Sequence, residues 1–253
     1  MSPKNILITG SGSGLGRAMA MRLAKEGHNI ILNGRTESKL IETEKMLEKF
    51  NVRTMIEVGD ISNSKFVEKM IFDIITEYKL LHVVINNAAI GGTGSFLLDI
   101  TEEQLHEIMD INFKGTWLVS KYAAKVMRNQ KSLKPLRGKI INVSSIAGLE
   151  PSPWVGIYSA SKAAVNSLTK TLAKELAPII TANAICPGFH LTPIYDNDPD
   201  KIREFWNAIN MKPLLRRIGT AEDVTGLISF LVSDDSNYMT GQIINICGGV
   251  ILH

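Results

Sequence analysis

Residues 5–16 read NILITGSGSGLG, an apolar run that passes directly into a turn with four glycines. The run at residues 5–9 predicts a buried strand, and the amphipathic pattern that begins at Gly16 predicts a helix. Glycine lets the backbone turn tightly and approach a pyrophosphate, which amides at a helix N-terminus stabilise. The strict G-x-G-x-x-G spacing fails, since its third glycine would fall on Leu15 or Arg17, whereas T-G-x-x-x-G-x-G fits. This segment therefore predicts either a nucleotide site or an ordinary turn.

The same alternation of short apolar runs and amphipathic stretches continues along the chain. Continuously apolar runs separated by helices are typical of a parallel sheet that helices cover on both faces. We therefore predict an α/β fold, a Rossmann-type doubly wound parallel sheet of about seven strands, with ligands beyond the carboxyl ends of the strands. The predicted strands are residues 5–9, 29–33, 53–58, 82–86, 139–144, 181–185 and 242–246, and the predicted helices include residues 16–26, 37–50, 64–78, 102–127, 157–177 and 221–233.

Length and composition limit the possible domain organisation. The 253 residues, 45% of them hydrophobic, suffice for a sizeable core, and no linker, low-complexity segment or internal repeat interrupts the alternation. We therefore expect a single domain over residues 1–253, with a substrate loop or lid at about residues 189–219.

Charge and hydropathy argue against nucleic acids and membranes as partners. The net charge is +3 and the 28 basic residues are spread along the chain, so they form neither a nucleic-acid stripe nor a polybasic anchor. No uncharged run reaches the roughly 20 residues that span a bilayer, and the first residues lack a signal-peptide pattern. Cys186 and Cys247 have neither metal-ligand spacing nor the density of a disulfide scaffold. We expect a cytoplasmic protein with two buried free thiols and no bound metal.

The predicted second strand ends in Gly34 and Arg35. In dinucleotide-binding folds an NAD site usually carries an acidic residue at this point, which binds the ribose 2′-hydroxyl, whereas an NADP site offers space and a cation. Gly34 supplies space and Arg35 supplies a cation. An alternative is that Arg35 is only an exposed residue at the start of the next helix, and Ser13 is not the basic residue often found in glycine loops of the NADP type. We favour NADP(H) as the cofactor, with NAD(H) as the alternative.

Further short motifs follow the ends of the predicted strands. Residues 86–89 read NNAA, Ser144 and Ser145 end the fifth strand, and residues 158–162 read YSASK at the start of a helix. Together with Asn112, these segments resemble the short-chain dehydrogenase/reductase family, in its single-domain branch of about 250 residues. Within that family the chain is similar to 3-oxoacyl-carrier-protein reductases and related ketone reductases. The resemblance covers nearly the whole chain and includes residues 187–188, Thr192, residues 240–242 and residues 248–249.

Tyr158 and Lys162 are spaced to act together. Because they lie four residues apart on a predicted helix, they share a face, and the ammonium can lie near the phenol. A free tyrosine has a pKa of about 10, and lowering it to about 7 needs about 4 kcal/mol, whereas an exposed ion pair supplies about 1 kcal/mol or less. We therefore predict that Lys162 acts from a partly buried site, assisted by the positive charge of an oxidised nicotinamide. Ser145, at a strand end, is expected to hydrogen-bond the reacting oxygen.

The resemblance implies that Asn112, Ser145, Tyr158 and Lys162 are the catalytic residues. Tyr158 would donate a proton to the carbonyl oxygen during reduction and accept it in the reverse direction. Lys162 would also bond the nicotinamide ribose, and Asn112 would hold the water that connects Lys162 to a proton relay. Besides Tyr158 and Lys162, the cofactor would be bound by Gly10, Ser11, Ser13, Gly14, Leu15 and Gly16 at the pyrophosphate, by Arg35, by Asp60 and Ile61 at the adenine, by Asn87 near the adenosine ribose, and by Gly188, His190 and Thr192 on the nicotinamide side.

Three positions depart from the pattern of the family. Ala89 stands where the family usually has glycine, which adds only a methyl group. His190 stands where the family usually has an aliphatic residue, so its side chain either contacts the nicotinamide or substrate or is merely tolerated beside a backbone contact. Cys247 stands where an acidic residue commonly precedes the final Gly-Gly, near a subunit interface of the family. The resemblance implies a homo-oligomer, a homotetramer or a dimer, and the altered residue at Cys247 bears on the tetramer contacts.

The substrate is expected to contact residues 189–219, the one long stretch without a clear strand. Asp196, Asp198 and Asp200 argue against an anionic substrate nearby, unless they only mark a solvated turn. We expect the reduction of a ketone, a diketone or a 3-oxoacyl compound, and the oxidation of a sugar or polyol is the alternative. The apolar residues that could line a pocket, or simply pack a helix onto the body, are Phe189, Ile194, Tyr195, Phe205, Trp206, Ile209, Met211 and Leu214.

Two hypotheses come from other functional classes. A non-catalytic dinucleotide-binding regulator would typically lack Tyr158 or Lys162, yet both are present. A sugar-nucleotide epimerase or dehydratase shares that pair but usually has a differently spaced glycine loop and a longer C-terminal substrate domain. The sequence therefore favours the oxidoreductase over both.

Overall fold

The computed structural model describes residues 3–130 and 136–252. The strands are β1 (Asn5–Thr9), β2 (Asn29–Gly34), β3 (Thr54–Val58), β4 (Val83–Asn86), β5 (Gly138–Val143), β6 (Ile180–Pro187) and β7 (Ile243–Ile246). They form one sheet in the order β3-β2-β1-β4-β5-β6-β7, and each pair of neighbours is parallel. The order reverses between β1 and β4, where a crevice opens beyond the carboxyl ends of the strands. The predicted Rossmann-type doubly wound sheet is confirmed.

Helices cover both faces of this sheet. They are α1 (Gly14–Lys25), α2 (Glu37–Leu47), α3 (Ser64–Tyr78), α4 (Glu102–Met109), α5 (Thr116–Asn129), α6 (Gly156–Leu176), α7 (Pro199–Ala208) and α8 (Thr225–Val232). Helices α1, α2 and α8 pack on one face, and α3, α5 and α6 pack on the other. The predicted helix over residues 221–233 begins with a 3-10 turn at Ala221–Val224 before α8.

The predicted helix over residues 102–127 is wrong in one respect, because a π-helical turn at Asp110–Gly115 divides it into α4 and α5. Within this turn Asn112 bonds both backbone groups of Ile90. Its Oδ1 accepts from the Ile90 N–H at 2.9 Å, and its Nδ2 donates to the Ile90 carbonyl at 3.0 Å. The helix is thus locally widened where Asn112 contacts the segment that contains Ile90. The spacing of apolar residues in the sequence does not predict such a contact.

Helix α7 lies in the stretch to which the sequence assigned no element. Asp198 caps it, with its carboxylate accepting from the backbone N–H of Asp200 at 2.8 Å and of Lys201 at 3.4 Å, and Pro199 occupies the first turn. An N-cap aspartate followed by proline is a recognised start signal, so this helix was predictable from its N-terminus. The fully buried Ile202 fixes the helix to the body of the protein.

Apolar side chains of the strands fill two cores, one on each face of the sheet. Leu7, Val84 and Ile140 point toward α3, α5 and α6, whereas Ile6 and Ile85 point toward the opposite face. Because side chains alternate along a strand, burial on both faces makes the whole strand apolar. Each fully buried aliphatic side chain contributes about 1.5–3 kcal/mol to the stability of the fold. The carboxyl ends of the strands are therefore held by a well-packed sheet.

A third and smaller apolar cluster lies beneath α7. It contains Ile146, Cys186, Phe189, Ile202 and Cys247, all buried. Both cysteines are free thiols, and burial raises the pKa of Cys186 to about 11. Because Cys186 belongs to β6 and Cys247 follows β7, this cluster ties the stretch after β6 to the ends of two strands.

Residues 3–130 and 136–252 contain neither a membrane span nor a metal-ligand cluster. None of the helices in these ranges is long and apolar enough to cross a bilayer. Their His, Cys, Asp and Glu side chains do not gather in groups of three or more that could hold an ion.

Candidate active site

A cleft of about 820 Å³ runs along the carboxyl ends of the strands. Its walls come from the glycine turn after β1, the ends of the other strands up to β6, and residues 189–211. Three of the predicted site residues, Ser11, Gly16 and Asn112, do not line it. The predicted site residues that do are Gly10, Ser13, Gly14, Leu15, Arg35, Asp60, Ile61, Asn87, Ser145, Tyr158, Lys162, Gly188, His190 and Thr192.

The glycine turn is held in a conformation that few other residues could adopt. Gly10 and Gly14 have φ angles of +64° and +52°, in the left-handed region where a side chain is strained. A Cβ at Gly16 would lie 2.3 Å from the Gly10 carbonyl oxygen, so the first turn of α1 can approach the loop only without a side chain there. Asn87 donates from Nδ2 to the carbonyls of Thr9 and Gly10, at 3.0 and 3.1 Å. The N-terminus of α1 is therefore fixed against the cleft, where its amides can bind a pyrophosphate.

Two cations line the cleft beyond β2. Arg35 and Lys39 both line it, and among the described residues neither forms a salt bridge. Arg17, in contrast, is engaged by Glu42, with N–O distances of 2.8 Å. The sequence pointed to Arg35 but missed Lys39, whose position one turn into α2 was the available signal.

The same end of the cleft carries an unsatisfied polar atom. Asn33, fully buried at the end of β2, donates from Nδ2 to the Glu57 carbonyl at 2.9 Å, while its Oδ1 has no partner among the described residues. Next to it, Asp60 accepts from the Ser62 N–H at 2.8 Å, and Ile61 is 3% exposed. Glycine turn, helix amides, cations and an unpaired acceptor together fit a dinucleotide.

Tyr158 stands in the first turn of α6 and is partly exposed to the cleft. Burial raises the pKa of Tyr158, and a hydrogen bond between the phenol and Ser145 lowers this pKa by a smaller amount. Ser145 also caps the short turn that follows β5, its Oγ accepting from the Ala147 N–H at 3.1 Å. The phenol thus remains protonated at neutral pH and faces the cleft beside a second hydroxyl.

Lys162 lies beneath this phenol and is 3% exposed. Its Nζ donates to the Val143 carbonyl at 2.9 Å and lies 5.7 Å from the centre of the Tyr158 ring. Burial lowers the pKa of Lys162 to about 8. The amine is therefore mostly protonated at neutral pH, and its positive charge is held in a site of low polarity, where it acts on the phenol more strongly than a surface charge would.

Asn112 links two segments behind the cleft. Besides its bonds to Ile90, its Nδ2 donates to Ser161 Oγ at 3.1 Å, and that hydroxyl donates to the Tyr158 carbonyl at 2.7 Å. Asn112 is fully buried, and its side-chain amide is used by these contacts. Asn112 therefore connects the loop after β4 to the first turn of α6 through hydrogen bonds. Its role in holding a relay water stays a prediction.

His190 joins the two ends of the stretch that the sequence assigned to the substrate. Its Nδ1 lies 3.1 Å from the Gly188 carbonyl, and its ring covers Gly219, where a Cβ would come within 2.5 Å of the imidazole. Two backbone bonds of 2.8 Å accompany this contact, from Gly219 N–H to the Phe189 carbonyl and from Leu191 N–H to the Gly219 carbonyl. Burial lowers the pKa of His190, so the ring is neutral at physiological pH. The His190 side chain therefore holds the segment after β6 against Gly219, and it also borders the cleft.

The far end of the cleft is lined by aromatic and apolar side chains. Trp154 has a φ of +65°, and its ring lies 5.9 Å from that of Phe96. Phe205 packs edge-on against Phe189 at 6.1 Å, and Tyr195 completes the wall. The sequence named Tyr195 and Phe205 as apolar surface that could line a pocket, and both line it, whereas Trp206 and Leu214 do not. It missed Trp154, because nothing in its local pattern distinguishes it from a loop residue.

The three aspartates of this stretch do not border the cleft. Asp196 pairs with Lys201 at 2.6 Å, Asp200 pairs with Arg203 at 2.7 Å, and Asp198 caps α7. They mark a solvated turn, which was the alternative interpretation, and so carry no argument about the charge of the substrate.

Comparison with known proteins agrees with this geometry. The family model described as enoyl-(acyl carrier protein) reductase matches residues 10–251. A diacetyl reductase, (S)-acetoin forming, of Staphylococcus epidermidis is 39% identical, and a 3-oxoacyl-[acyl-carrier-protein] reductase of Thermotoga maritima is 35% identical, in both cases over 98% of this chain and 98% of the relative.

Solved structures show the same fold over nearly their whole length. Levodione reductase has a TM-score of 0.89 and 30% identity, covering 97% of this chain and 96% of that protein. NAD⁺-bound xylitol dehydrogenase has a TM-score of 0.86 and 29% identity, covering 97% and 98%. The chain therefore belongs to the short-chain dehydrogenase/reductase family and is an oxidoreductase whose fold binds a nicotinamide dinucleotide.

Proposed function

We propose that this oxidoreductase reduces a ketone or 3-oxoacyl-type compound to the secondary alcohol and uses NADPH. The observation that carries the proposal is the juxtaposition of a protonated phenol, Tyr158, with the hydroxyl of Ser145 at the cleft and with the buried ammonium of Lys162 beneath it. A proton donor that is neutral at pH 7 suits the direction in which a carbonyl oxygen gains a proton.

The reaction can be derived from these three side chains. A reduced nicotinamide, held by the cofactor half of the cleft, would be the source of the hydride for the carbonyl carbon. As negative charge develops on the carbonyl oxygen, the Tyr158 phenol transfers its proton to that oxygen, and the Ser145 hydroxyl donates a hydrogen bond to it. The phenolate that remains is stabilised by the Lys162 ammonium, which is held in place by the Val143 carbonyl. A proton from solvent then returns to the phenolate and completes the cycle.

The glycine turn and the two cations are the residues that would hold the cofactor. Its pyrophosphate would meet the amides at the start of α1, and its adenosine end would reach Arg35 and Lys39. A 2′-phosphate there would meet two cations that form no salt bridge with the described residues, and space beside Gly34, and this supports NADPH over NADH.

The apolar wall of the cleft supports a ketone over a polyol. Phe205, Trp154 and Met211 offer little to the several hydroxyls of a sugar alcohol. Diacetyl reductase and the 3-oxoacyl-[acyl-carrier-protein] reductase, both similar to this chain, have names that denote reduction of carbonyl compounds. Xylitol dehydrogenase is a structural neighbour, and polyol oxidation is therefore the competing activity.

The proposal is tested by following nicotinamide absorbance with the purified protein. We expect reduction of small ketones and of a 3-oxoacyl thioester with NADPH, and slower oxidation of xylitol with NADP⁺ or NAD⁺. Faster polyol oxidation than ketone reduction would reverse the proposed direction. Tight cofactor binding without turnover of any carbonyl compound or polyol would instead indicate a regulatory protein.

Cofactor choice is tested by replacing Arg35 and Lys39 with alanine. Loss of a charge-assisted contact to a phosphate predicts a roughly 10- to 100-fold rise in KM for NADPH, with KM for NADH unchanged. Lys45→Ala is the matched control, because Lys45 lies on α2, as Lys39 does, but is exposed outside the cleft. A tenfold preference of the unaltered protein for NADH would overturn the choice of NADPH.

We also infer assembly into a homo-oligomer. Phe72 on α3 and Trp117 on α5 are 68% and 40% exposed, which supports a covered surface on this side of the sheet. Light scattering in solution should give a mass of two or four chains, and a monomer mass at micromolar concentration would contradict the inference.

A further inference from the structure

A second phenol lies in the same cleft as Tyr158 but belongs to the opposite wall. Tyr195 ends a 3-10 turn, Pro193–Tyr195, and its backbone N–H donates to the Thr192 carbonyl at 2.9 Å. The next residue, Asp196, closes the turn with a φ of +52°. The position of Tyr195 is therefore set by a tight backbone turn that follows directly on a predicted cofactor residue, Thr192.

The ring of Tyr195 is packed, and no described residue forms a hydrogen bond with its hydroxyl. The ring contacts the apolar cluster that includes Phe189 and Ile202. Among the residues that the structure describes, none forms a hydrogen bond with the Tyr195 hydroxyl. Because Tyr195 is only partly buried and lines the cleft, its hydroxyl is available to an oxygen atom of a bound substrate.

The hydroxyl of Tyr195 lies within electrostatic reach of the catalytic phenol. Burial raises the pKa of Tyr195, and the nearby Tyr158 raises it further. Tyr195 is therefore a hydrogen-bond donor throughout the physiological pH range. Two donors, Tyr158 and Tyr195, thus border one cleft from two different segments of the chain.

Phe205, the neighbouring aromatic side chain of this wall, offers no polar group. It packs edge-on against Phe189, with ring centres 6.1 Å apart, and fills space. Ser152, also at the cleft, lies 3.5 Å from the sulfur of Met211, to which its hydroxyl donates. Tyr195 therefore brings a hydroxyl to this apolar wall, where it can recognise a second polar atom on the substrate.

We propose that Tyr195 is a substrate-binding residue that donates a hydrogen bond to a second oxygen of the substrate, so that the preferred substrate is a ketone with another carbonyl or hydroxyl oxygen close to the reacting one. This inference rests on the proposed function and makes it narrower. The reacting oxygen meets Tyr158 and Ser145, and the second oxygen meets Tyr195. Dicarbonyl compounds and hydroxyketones have this arrangement, whereas a simple ketone does not.

The test replaces Tyr195 with phenylalanine, which removes the hydroxyl and keeps the ring. For 2,3-butanedione and 2,4-pentanedione we expect kcat/KM to fall about tenfold, the value of one neutral hydrogen bond. For 2-butanone, which lacks the second oxygen, kcat/KM should stay within about twofold. Comparison of the two diketones shows which spacing between the oxygens the site accepts.

Tyr122→Phe is the matched control. Tyr122 lies on α5 outside the cleft, and its hydroxyl is 3.2 Å from Ser64 Oγ, so its loss should leave all three activities unchanged. Equal losses on diketones and 2-butanone in Tyr195→Phe, or no loss on any, would overturn the role of Tyr195 alone. If the unaltered protein reduces none of the three ketones, the proposed function fails and this inference fails with it.

Discussion

The two halves of the cleft are built in different ways. The cofactor half consists of backbone at the ends of the strands, and its glycine turn is so tight that a Cβ at Gly16 would overlap the Gly10 carbonyl. The substrate half is one short helix and two loops, closed by the contact of His190 with Gly219, and several of its side chains are open to solvent, such as Ile194 at 49% exposure. Backbone recognition restricts which residues are allowed, whereas recognition by side chains leaves many sequences possible.

The two halves also treat charge differently. Lys162, in the half of the cleft that the sheet forms, is buried and donates a hydrogen bond to the Val143 carbonyl. Its lowered pKa reflects the free-energy cost of burying the charged amine. In the substrate half Lys201 pairs with Asp196 on the surface, where solvent screens the ion pair and it contributes little to stability. Catalytic electrostatics is thus concentrated in the rigid half.

Replacing Tyr158 with phenylalanine should give the largest effect, because it removes the proton donor where the two halves meet. We expect kcat to fall roughly 10²- to 10⁴-fold, the range for loss of a general acid. Cofactor affinity, measured by quenching of intrinsic fluorescence, should change by less than about threefold, since the glycine turn is untouched. Activity within tenfold of the unaltered protein would show that another group donates the proton.

Lys162→Met should reveal the stability cost of the buried amine through its pH dependence. The pKa of Lys162 is about 8 in the folded protein, below its ordinary value of 10.5, so the unfolded chain binds more protons between these two pH values. The stability of the unaltered protein should therefore rise from pH 8 to 10.5, by on the order of 3 kcal/mol from this group, while the cost is fully present below pH 8. Methionine keeps the length of the side chain and removes the titration.

Urea unfolding of both proteins at intervals between pH 7 and 10.5 measures this difference. The free energy of unfolding of Lys162→Met minus that of the unaltered protein should be largest at pH 7 and shrink as the pH rises. A difference that does not vary with pH would mean that the amine is solvated in the folded state.

Gly16→Ala tests the rigidity of the cofactor half. The added methyl would meet the Gly10 carbonyl oxygen at 2.3 Å and Asn87 Nδ2 at 2.7 Å, so the loop must shift. We expect a loss of about 1–3 kcal/mol in folding stability and a comparable loss, roughly 10- to 100-fold, in affinity for NADPH. Gly226→Ala in α8 is the control, since a Cβ there meets no atom within 4 Å and alanine favours a helix. Unchanged affinity in Gly16→Ala would mean that the loop adapts.

The contrast between the halves explains how far the sequence could be read. The seven strands and the glycine turn were predictable, because apolar runs and glycines are fixed by burial and by backbone geometry. Lys39 and Trp154 were not named as site residues, and Tyr195 was named only as apolar surface that could line a pocket. Their importance comes from the place to which the chain brings them and not from a local pattern. The π-helical turn at Asp110–Gly115 was missed for the same reason, because its cause is a contact between Asn112 and the distant Ile90.

Trp154→Gly probes the substrate half and should give the smallest effect. Glycine removes the ring that packs on Phe96 but also relieves the left-handed backbone at φ +65°, which costs a non-glycine residue about 1–2 kcal/mol. Stability should therefore stay within about 1 kcal/mol of that of the unaltered protein, while KM for ketones rises about three- to tenfold through lost apolar contact. Affinity for NADPH should not change.

Lys79→Gly separates these two consequences of the Trp154 substitution. Lys79 has a φ of +66° at the C-terminal end of α3, outside the cleft, so glycine there should increase stability by up to about 1 kcal/mol without altering KM. If Trp154→Gly weakens NADPH binding as much as it raises KM for ketones, the two halves of the cleft are coupled, and the separation drawn between a rigid cofactor half and an adaptable substrate half is wrong.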